Sequence, residues 1–308
     1  MKCLFCYKDS ESDFHASCSK KIFGTSEPPK ILYSEDDLLN LAEQMVKGKA
    51  TITGVQPKLS LHIEKPDNEP DKLTIVGLWG QFILKPQSQK WAELPQIEDL
   101  TMHLAELSKI RTAVHSLVRL GSGGLAYLTK RMDRTNGTKK HMEDMCQLLG
   151  RLTEDKYKSS HEQIAKEIRR SSMNPGLDLI RFYELTVFSF LTGNADMHLK
   201  NFSLLKHDQG CYELAPAYYL VASALVVEGD DEELALTLCG KKKRLRKPDF
   251  LKAMSSSGIP DKAAENILNK YAKLQGSWLD FVHQSFLSKE LMEQYCQLIV
   301  SKHNQLYG

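Results

Sequence analysis

At 308 residues, with 42% hydrophobic and 26% charged content, the chain is long enough for two lobes that each bury a core. A formal net charge of +2 is too small to mark a nucleic-acid protein, and no uncharged run approaches the roughly 18 residues that a bilayer span needs. The charged start Met1-Lys-Cys-Leu-Phe-Cys6 is not a signal peptide, so a cytoplasmic protein without a membrane partner is expected, with export by some other signal left open.

In chain order, the first feature is Cys3-x-x-Cys6 followed, after eight residues, by His15-x-x-Cys18. Ligand pairs two residues apart each wrap one side of a tetrahedral ion, so residues 1–24 read as a small zinc knuckle holding Zn2+. The arm is expected to be exposed and to lack a hydrophobic core of its own, the alternative being free surface thiols. Ser34-Glu-Asp-Asp37 is a capping box that opens a helix with Leu38, Leu41, Ala42 and Met45 on one face.

Residues 50–58, Ala-Thr51-Ile-Thr53-Gly54-Val-Gln56-Pro-Lys58, form a small-residue turn able to cover phosphates with its backbone. Strands are expected at about 57 to 64, 73 to 78 and 81 to 85, the last ending in Lys85, and a helix runs from about Glu93 to Ala105 through Glu98. A strand Lys paired with a helix Glu aims a cation at nucleotide phosphates. Taken singly, Lys85 also reads as a surface charge and Glu98 as an acid favourable to the helix dipole. Residues 112–120 and 125–132 form a hairpin around Gly121-Ser-Gly-Gly124, which lacks the Lys-Ser/Thr of a P-loop.

The apolar helix Leu179–Leu191 leads into Gly193-Asn-Ala-Asp196-Met-His198-Leu-Lys-Asn201-Phe-Ser203. An acid and an amide five residues apart on a supported loop match the layout for phosphoryl transfer, in which the acid orients the attacking hydroxyl and the amide holds a metal; taken alone, Asp196 and Asn201 read equally as solvated polar residues of an ordinary loop. No His-Arg-Asp is present, so the match is one of spacing. The acidic run 228–233 and the basic run 241–247 flank an alternating strand and are expected to offset each other on a solvated hairpin, which makes direct nucleic-acid binding the minority reading. Cys146, Cys211, Cys239 and Cys296 lie in apolar patterns and are expected in the core, and Leu291, Tyr295 and Leu298 form a stripe on a closing helix.

Four motifs together, Gly54-Val-Gln-Pro-Lys58, Phe82-Ile-Leu-Lys-Pro86, His141-Met-Glu-Asp-Met-Cys-Gln147 and Asp196-Met-His-Leu-Lys-Asn-Phe-Ser203, resemble the HipA family of bacterial Ser/Thr kinases over roughly residues 30 to 305. The resemblance implies an α+β, two-lobed, protein-kinase-like fold, with a mixed α+β N-lobe at 25–129 and a helical C-lobe at 130–308. It also implies ATP and Mg2+ as cofactors and the toxin role of a toxin-antitoxin system. The turn comes early, near residue 50, so the chain looks closest to the short HipT type of tripartite systems, with a small HipS-like protein and a HipB-like antitoxin as partners.

Carried onto this sequence, the resemblance implies that Gly54, Gln56 and Lys58 cover the phosphates, Lys85 held by Glu98 neutralises them, and Lys130 to Met132 offer backbone groups to adenine. Asp196 is the catalytic residue, His198 supports the loop more than it carries protons, and Asn201 binds magnesium. Thr51 and Thr53 match autophosphorylated positions, and an aminoacyl-tRNA synthetase is the implied substrate. One position departs: Tyr219 stands where the family has a magnesium-binding Asp. A phenol with a pKa of about 10 is neutral at pH 7 and a poor ligand for a hard cation. The chain then reads as an inactivated form of an active kinase, or as a natural pseudokinase or nucleotide-binding scaffold.

Overall fold

The structure is a computed structural model that describes residues 1–46, 57–77, 79–135, 138–207, 210–227, 229 and 231–308, side chains at 42–46 and 135 excepted. The expected phosphate-covering residues Thr51, Thr53, Gly54 and Gln56 lie outside the described residues. The chain divides into two units, Met1–Asp99 with Ala113–Met132, and Leu100–Thr112 with Asp133–Gly308. Elements in order are α1 (Ala16–Phe23), α2 (Glu35–Val46), β1 (Leu59–Glu64), β2 (Lys72–Ile75), β3 (Phe82–Lys85), α3 (Leu94–Leu107), β4 (His115–Arg119), β5 (Leu125–Lys130), β6 (Arg134–Thr135), β7 (Thr138–Lys139), β8 (Met142–Asp144) and α4 (Met145–Leu148). They are followed by α5 (His161–Ser171), α6 (Pro175–Leu191), β9 (Ser203–Lys206), β10 (Tyr212–Leu214), α7 (Lys247–Ser256), α8 (Asp261–Ala272), α9 (Gln275–Val282) and α10 (Lys289–Tyr307).

The first unit is built on an antiparallel sheet of order β2-β1-β3-β5-β4. Period-two alternation in β1 buries Leu59, Leu61 and Ile63 on one face. Just before β3 the chain passes so close to β1 that a Cβ at Gly80 would lie 2.6 Å from the Leu61 carbonyl oxygen. The Gly121-Ser-Gly-Gly124 segment is the β4–β5 turn, with Arg119 opposite Leu125, as expected. The capping box is formed as well: the Asp37 N–H donates to Ser34 Oγ at 3.2 Å, and the Ser34 N–H donates to Asp37 Oδ2 at 2.8 Å.

The N-terminal arm differs from the exposed, coreless segment expected. Leu4, Tyr7, Ile22 and Phe23 are buried, and Phe23 lies 5.5 Å from Phe14 and 6.0 Å from Phe82 on β3. The Leu4 carbonyl accepts from the Leu117 N–H at 3.3 Å, so the arm covers the edge strand β4. Its apolar residues are few, and the sheet supplies the partners they lack.

In the second unit, α6 is buried along nearly its whole length after Asp178 and carries Phe182, Phe188 and Phe190. Phe182 meets Phe202 at 5.2 Å and Phe188 meets Trp278 at 5.5 Å, both edge-on. Asp178, fully buried, accepts from the Leu214 N–H at 2.7 Å and from Ser172 Oγ at 2.6 Å, which ties the three-stranded sheet β10-β9-β8 to α6. Tyr295 of α10 is buried against Thr101, as the stripe predicted, while its other members Leu291 and Leu298 are half-buried.

The acidic and basic runs do neutralise each other: Lys242 reaches Glu232 at 2.9 Å and Lys243 pairs with Asp231. The segment between them is not the expected half-exposed strand. Leu234, Ala235, Leu236 and Leu238 are all buried, so both sides of it face protein. Among the four later cysteines, Cys146 is buried while Cys211, Cys239 and Cys296 are partly exposed. Among the described residues, no helix is long and apolar enough to cross a membrane.

Candidate active site

The second unit builds a polar cluster at the end of α6. The helix stops because Gly193 turns left-handed at φ +67, where a Cβ would lie 2.6 Å from Leu298 Cδ2. The chain is then pinned residue by residue: the Asn194 N–H donates to the Ser189 carbonyl at 2.8 Å and the Ala195 N–H to Ser223 Oγ at 2.9 Å. This delivers Asp196 on a held loop. Asn201 Nδ2 donates to the Asp196 carbonyl at 2.7 Å, so its Oδ1 is the end available to a cation. His198 is buried; its Nδ1 accepts from the Lys200 N–H at 3.3 Å and its Nε2 lies 4.0 Å from Asp196 Oδ1. A ring held in that way is in a position to prop the loop.

Tyr219 is half-buried and its hydroxyl donates to Asp196 Oδ2 at 3.1 Å. The other carboxylate oxygen accepts from Tyr157 at 2.6 Å, and the Tyr157 ring stands edge-on to His198 at 4.9 Å. Sequence reasoning missed Tyr157, which sits 39 residues before the acid in an irregular segment with no motif around it. It also missed Tyr218. That hydroxyl, on a half-buried side chain and held well above the usual phenol range by desolvation, donates to the Lys200 carbonyl at 2.7 Å and so fixes the residue before Tyr219. The His141–Gln147 motif proves to be β8 and a capped α4, in which Asp144 binds the Gln147 N–H at 2.9 Å and Lys200 Nζ at 3.0 Å. The Asp196, His198, Asn201 and Tyr219 set is thus assembled in one place.

In the first unit, Lys85 ends β3 and donates to Glu98 Oε1 of α3. Both are buried, with Lys85 2% and Glu98 0% exposed. Burial raises the Glu98 pKa, opposed by the charges of Lys85, then Lys58 and His115. Lys58 is therefore near enough to act on the same carboxylate. Glu98 Oε2 is buried with no hydrogen-bond partner among the described residues, and Lys85 Nζ lies 5.2 Å from the Tyr127 ring centroid. Of the expected adenine-binding stretch, Lys130 and Arg131 use their N–H groups within the unit, on the Val114 and Gln81 carbonyls at 2.8 Å each. Those two N–H groups are thus taken, and the expectation for Lys130 to Met132 rests on their other backbone groups.

The arm brings Cys3, Cys6, His15 and Cys18 together, with all four ligand atoms within 4.8 Å of one another. His15 Nδ1 is 3.5 Å from Cys6 Sγ and 3.7 Å from Cys18 Sγ. Tetrahedral geometry with metal–sulfur and metal–nitrogen bonds of about 2.3 and about 2.1 Å sets that separation at about 3.6 Å. His15 Nε2 meets the Asp9 carbonyl at 2.9 Å, which places the proton there and aims the Nδ1 lone pair at the sulfurs. Without a cation, burial and then the neighbouring Cys6 and Cys3 push the Cys18 thiol up to about 12. The cluster fits a metal ion in donor set, spacing and outer hydrogen bond.

A family model described as the HipA-like C-terminal domain matches residues 50–278, most of the chain. The chain belongs to the HipA-like family. Among its relatives, the Sinorhizobium fredii protein Y4dM is 34% identical over 195 residues, which cover 59% of this chain and 47% of Y4dM. The Ser/Thr-protein kinase toxin HipA of Shewanella oneidensis is 29% identical over 212 residues, 62% of this chain and 47% of that protein. The chain thus spans about half the length of these curated relatives. In fold it is similar to HipA in the S. oneidensis HipA, HipB and operator DNA complex, with a TM-score of 0.72 at 20% identity over 90% of this chain and 71% of that one. It is also similar to the Helicobacter pylori proinflammatory kinase CtkA, with a TM-score of 0.52 at 12% identity over 76% of this chain and 90% of that one. The α+β kinase-like architecture expected from the HipA resemblance is therefore borne out.

Proposed function

We propose that this HipA-like chain is a Ser/Thr protein kinase toxin whose phosphoryl transfer is suppressed at Tyr219. The observation that carries the reading is the convergence of Asp196, Asn201 and Tyr219 on one held loop, in a family member that also buries a Lys85–Glu98 pair. Lys85 and Lys58 suit the charge of the ATP phosphates, and the backbone of Lys130 to Met132 suits adenine. In the transfer, a substrate Ser or Thr oxygen forms a bond to the γ-phosphorus as the bond to the ADP oxygen breaks. Asp196 takes the hydroxyl proton. Lys85 balances charge on the phosphate oxygens, and His198 keeps the Asp196 loop in place.

Magnesium, which the family reading implies, does not fit the donors present. Asn201 offers one neutral oxygen, Tyr219 is a neutral phenol, and both oxygens of Asp196 already accept from phenols. The same observation favours a second reading, a pseudokinase or nucleotide-binding scaffold in which two tyrosines cap the acid. For the arm we propose structural Zn2+ on Cys3, Cys6, His15 and Cys18. The resemblance supports, as proposals only, a protein substrate such as an aminoacyl-tRNA synthetase, autophosphorylation at Thr51 and Thr53, and HipS-like and HipB-like partners of the HipT type.

Calorimetry of ATP with magnesium separates the two readings. The chain as it stands should bind the nucleotide weakly, and Tyr219→Asp should tighten binding at least about tenfold, the effect of replacing a neutral ligand by a carboxylate on a divalent cation. Equal affinity in both chains would contradict the assignment of position 219 to the metal.

A further inference from the structure

Tyr7 follows Cys6 directly and holds a left-handed φ of 64, a conformation a bulky residue keeps only when its surroundings enforce it. The turn that carries it is closed by the Tyr7 N–H on the Cys3 carbonyl at 2.9 Å and the Cys3 N–H on the Lys8 carbonyl at 2.8 Å. Cys3 and Cys6, the first pair of ligands, therefore bracket the segment that sets the Tyr7 backbone. The side chain is buried, and its hydroxyl donates to Asp99 Oδ2 at 2.7 Å, 92 residues away in sequence. His115 Nδ1 on β4 donates to Asp99 Oδ1 at 2.7 Å. Both oxygens of a fully buried carboxylate are thus fixed from two sides, by the arm and by the sheet.

Asp99 is the residue after Glu98 on α3. Its anchors set the rotation of that helical turn about its axis and hence the direction in which Glu98 points. The arm also grips β4 independently: the Leu4 carbonyl accepts from Ser116 Oγ at 3.1 Å, and Arg119 donates to Asp13 at 2.8 and 2.9 Å.

We propose that the metal-holding arm is a positioning element for the phosphate-binding pair: metal on Cys3, Cys6, His15 and Cys18 fixes Tyr7, and Tyr7 through Asp99 holds Glu98 toward Lys85. Nucleotide affinity then depends on zinc although no arm residue touches the nucleotide. The idea rests on the zinc and nucleotide assignments above, so the test reads each separately.

The test uses the full chain carrying Tyr219→Asp, with and without a further Tyr7→Phe, both before and after zinc removal by a chelator. Elemental analysis reports zinc, calorimetry reports ATP affinity with magnesium, and amide hydrogen exchange over residues 94–99 reports the α3 turn without any nucleotide. The Tyr7→Phe chain should keep about one zinc. It should nonetheless bind ATP about tenfold more weakly or worse, tenfold being the lower end of what one hydrogen bond to a charged group is worth. Its α3 turn should exchange faster, and zinc removal from the parent should produce the same two changes. Unchanged exchange and affinity in Tyr7→Phe with zinc retained would overturn the coupling while leaving both assignments standing. A parent without zinc would overturn it through the metal site. If ATP fails to bind the parent at all, the exchange readout still decides, since equal protection in all four samples would sink the proposal.

Discussion

Replacing Lys85 by Met keeps the length of the side chain, removes its charge, and leaves Glu98 in a site that is 0% exposed. A carboxylate stranded in this way takes up a proton instead of remaining charged. Carrying Glu98 as a neutral acid at about pH 7 costs about 3.7 kcal/mol, from roughly 2.7 pH units above its ordinary pKa at about 1.36 kcal/mol each. That agrees with the roughly 3–5 kcal/mol typical of breaking a buried pair. Lys58 and His115 also act on Glu98 and reduce the figure somewhat. The sign with pH follows from linkage: a folded-state pKa raised above the unfolded value gives a penalty that grows as pH rises and fades as pH falls toward the unfolded pKa. Urea unfolding should therefore show Lys85→Met destabilised by about 3 kcal/mol near pH 7 and by about 1–2 kcal/mol near pH 5.5. The Lys85→Met, Glu98→Gln double variant should recover much of the loss. A penalty that is independent of pH, together with simple additivity of the two substitutions, would refute a buried pair at this place.

His161 is buried at the first position of α5 with its pKa lowered to about 4 by desolvation, so it binds fewer protons folded than unfolded. Stability should fall as pH drops from about 6.5 to about 4, by up to about 3 kcal/mol, and a pH series of urea unfolding should flatten there in His161→Phe. Gly193→Ala should cost about 1–3 kcal/mol, from left-handed strain and the clash with Leu298, and show as a lower Tm; an unchanged Tm would mean the turn is not held as described. Tyr157→Phe in a Tyr219→Asp background should release one oxygen of Asp196 and raise the rate of phosphoryl transfer, whereas a fall of tenfold or more would make Tyr157 part of the catalytic machinery.

Much of the site was legible because its parts are close in sequence. Asp196, His198 and Asn201 share one loop, and β3 and α3 are consecutive elements, so the Lys85–Glu98 pair that the resemblance implied joins neighbours in the chain. What stayed hidden was long-range. Tyr157 and Tyr218 reach the loop from segments with no periodicity, and Tyr7 reaches Asp99 from 92 residues away in the chain. The arm looked coreless because its apolar residues are too few to pack on themselves, and the sequence carries no sign that Phe82 and the β4 edge complete them. The segment between the charge runs looked half-exposed because its alternation was read locally, and burial on both sides overrode it.

The most direct measurement is transfer of labelled γ-phosphate from ATP to proteins of a bacterial lysate, compared among the chain as it stands, Tyr219→Asp, and Tyr219→Asp combined with Asp196→Asn. The account predicts a labelled protein band with Tyr219→Asp alone, near-background labelling with the chain as it stands, and loss of the band when Asp196 is replaced. Labelling of equal strength in all three, or a band that survives Asp196→Asn, would contradict the assignment of this loop as the site of phosphoryl transfer.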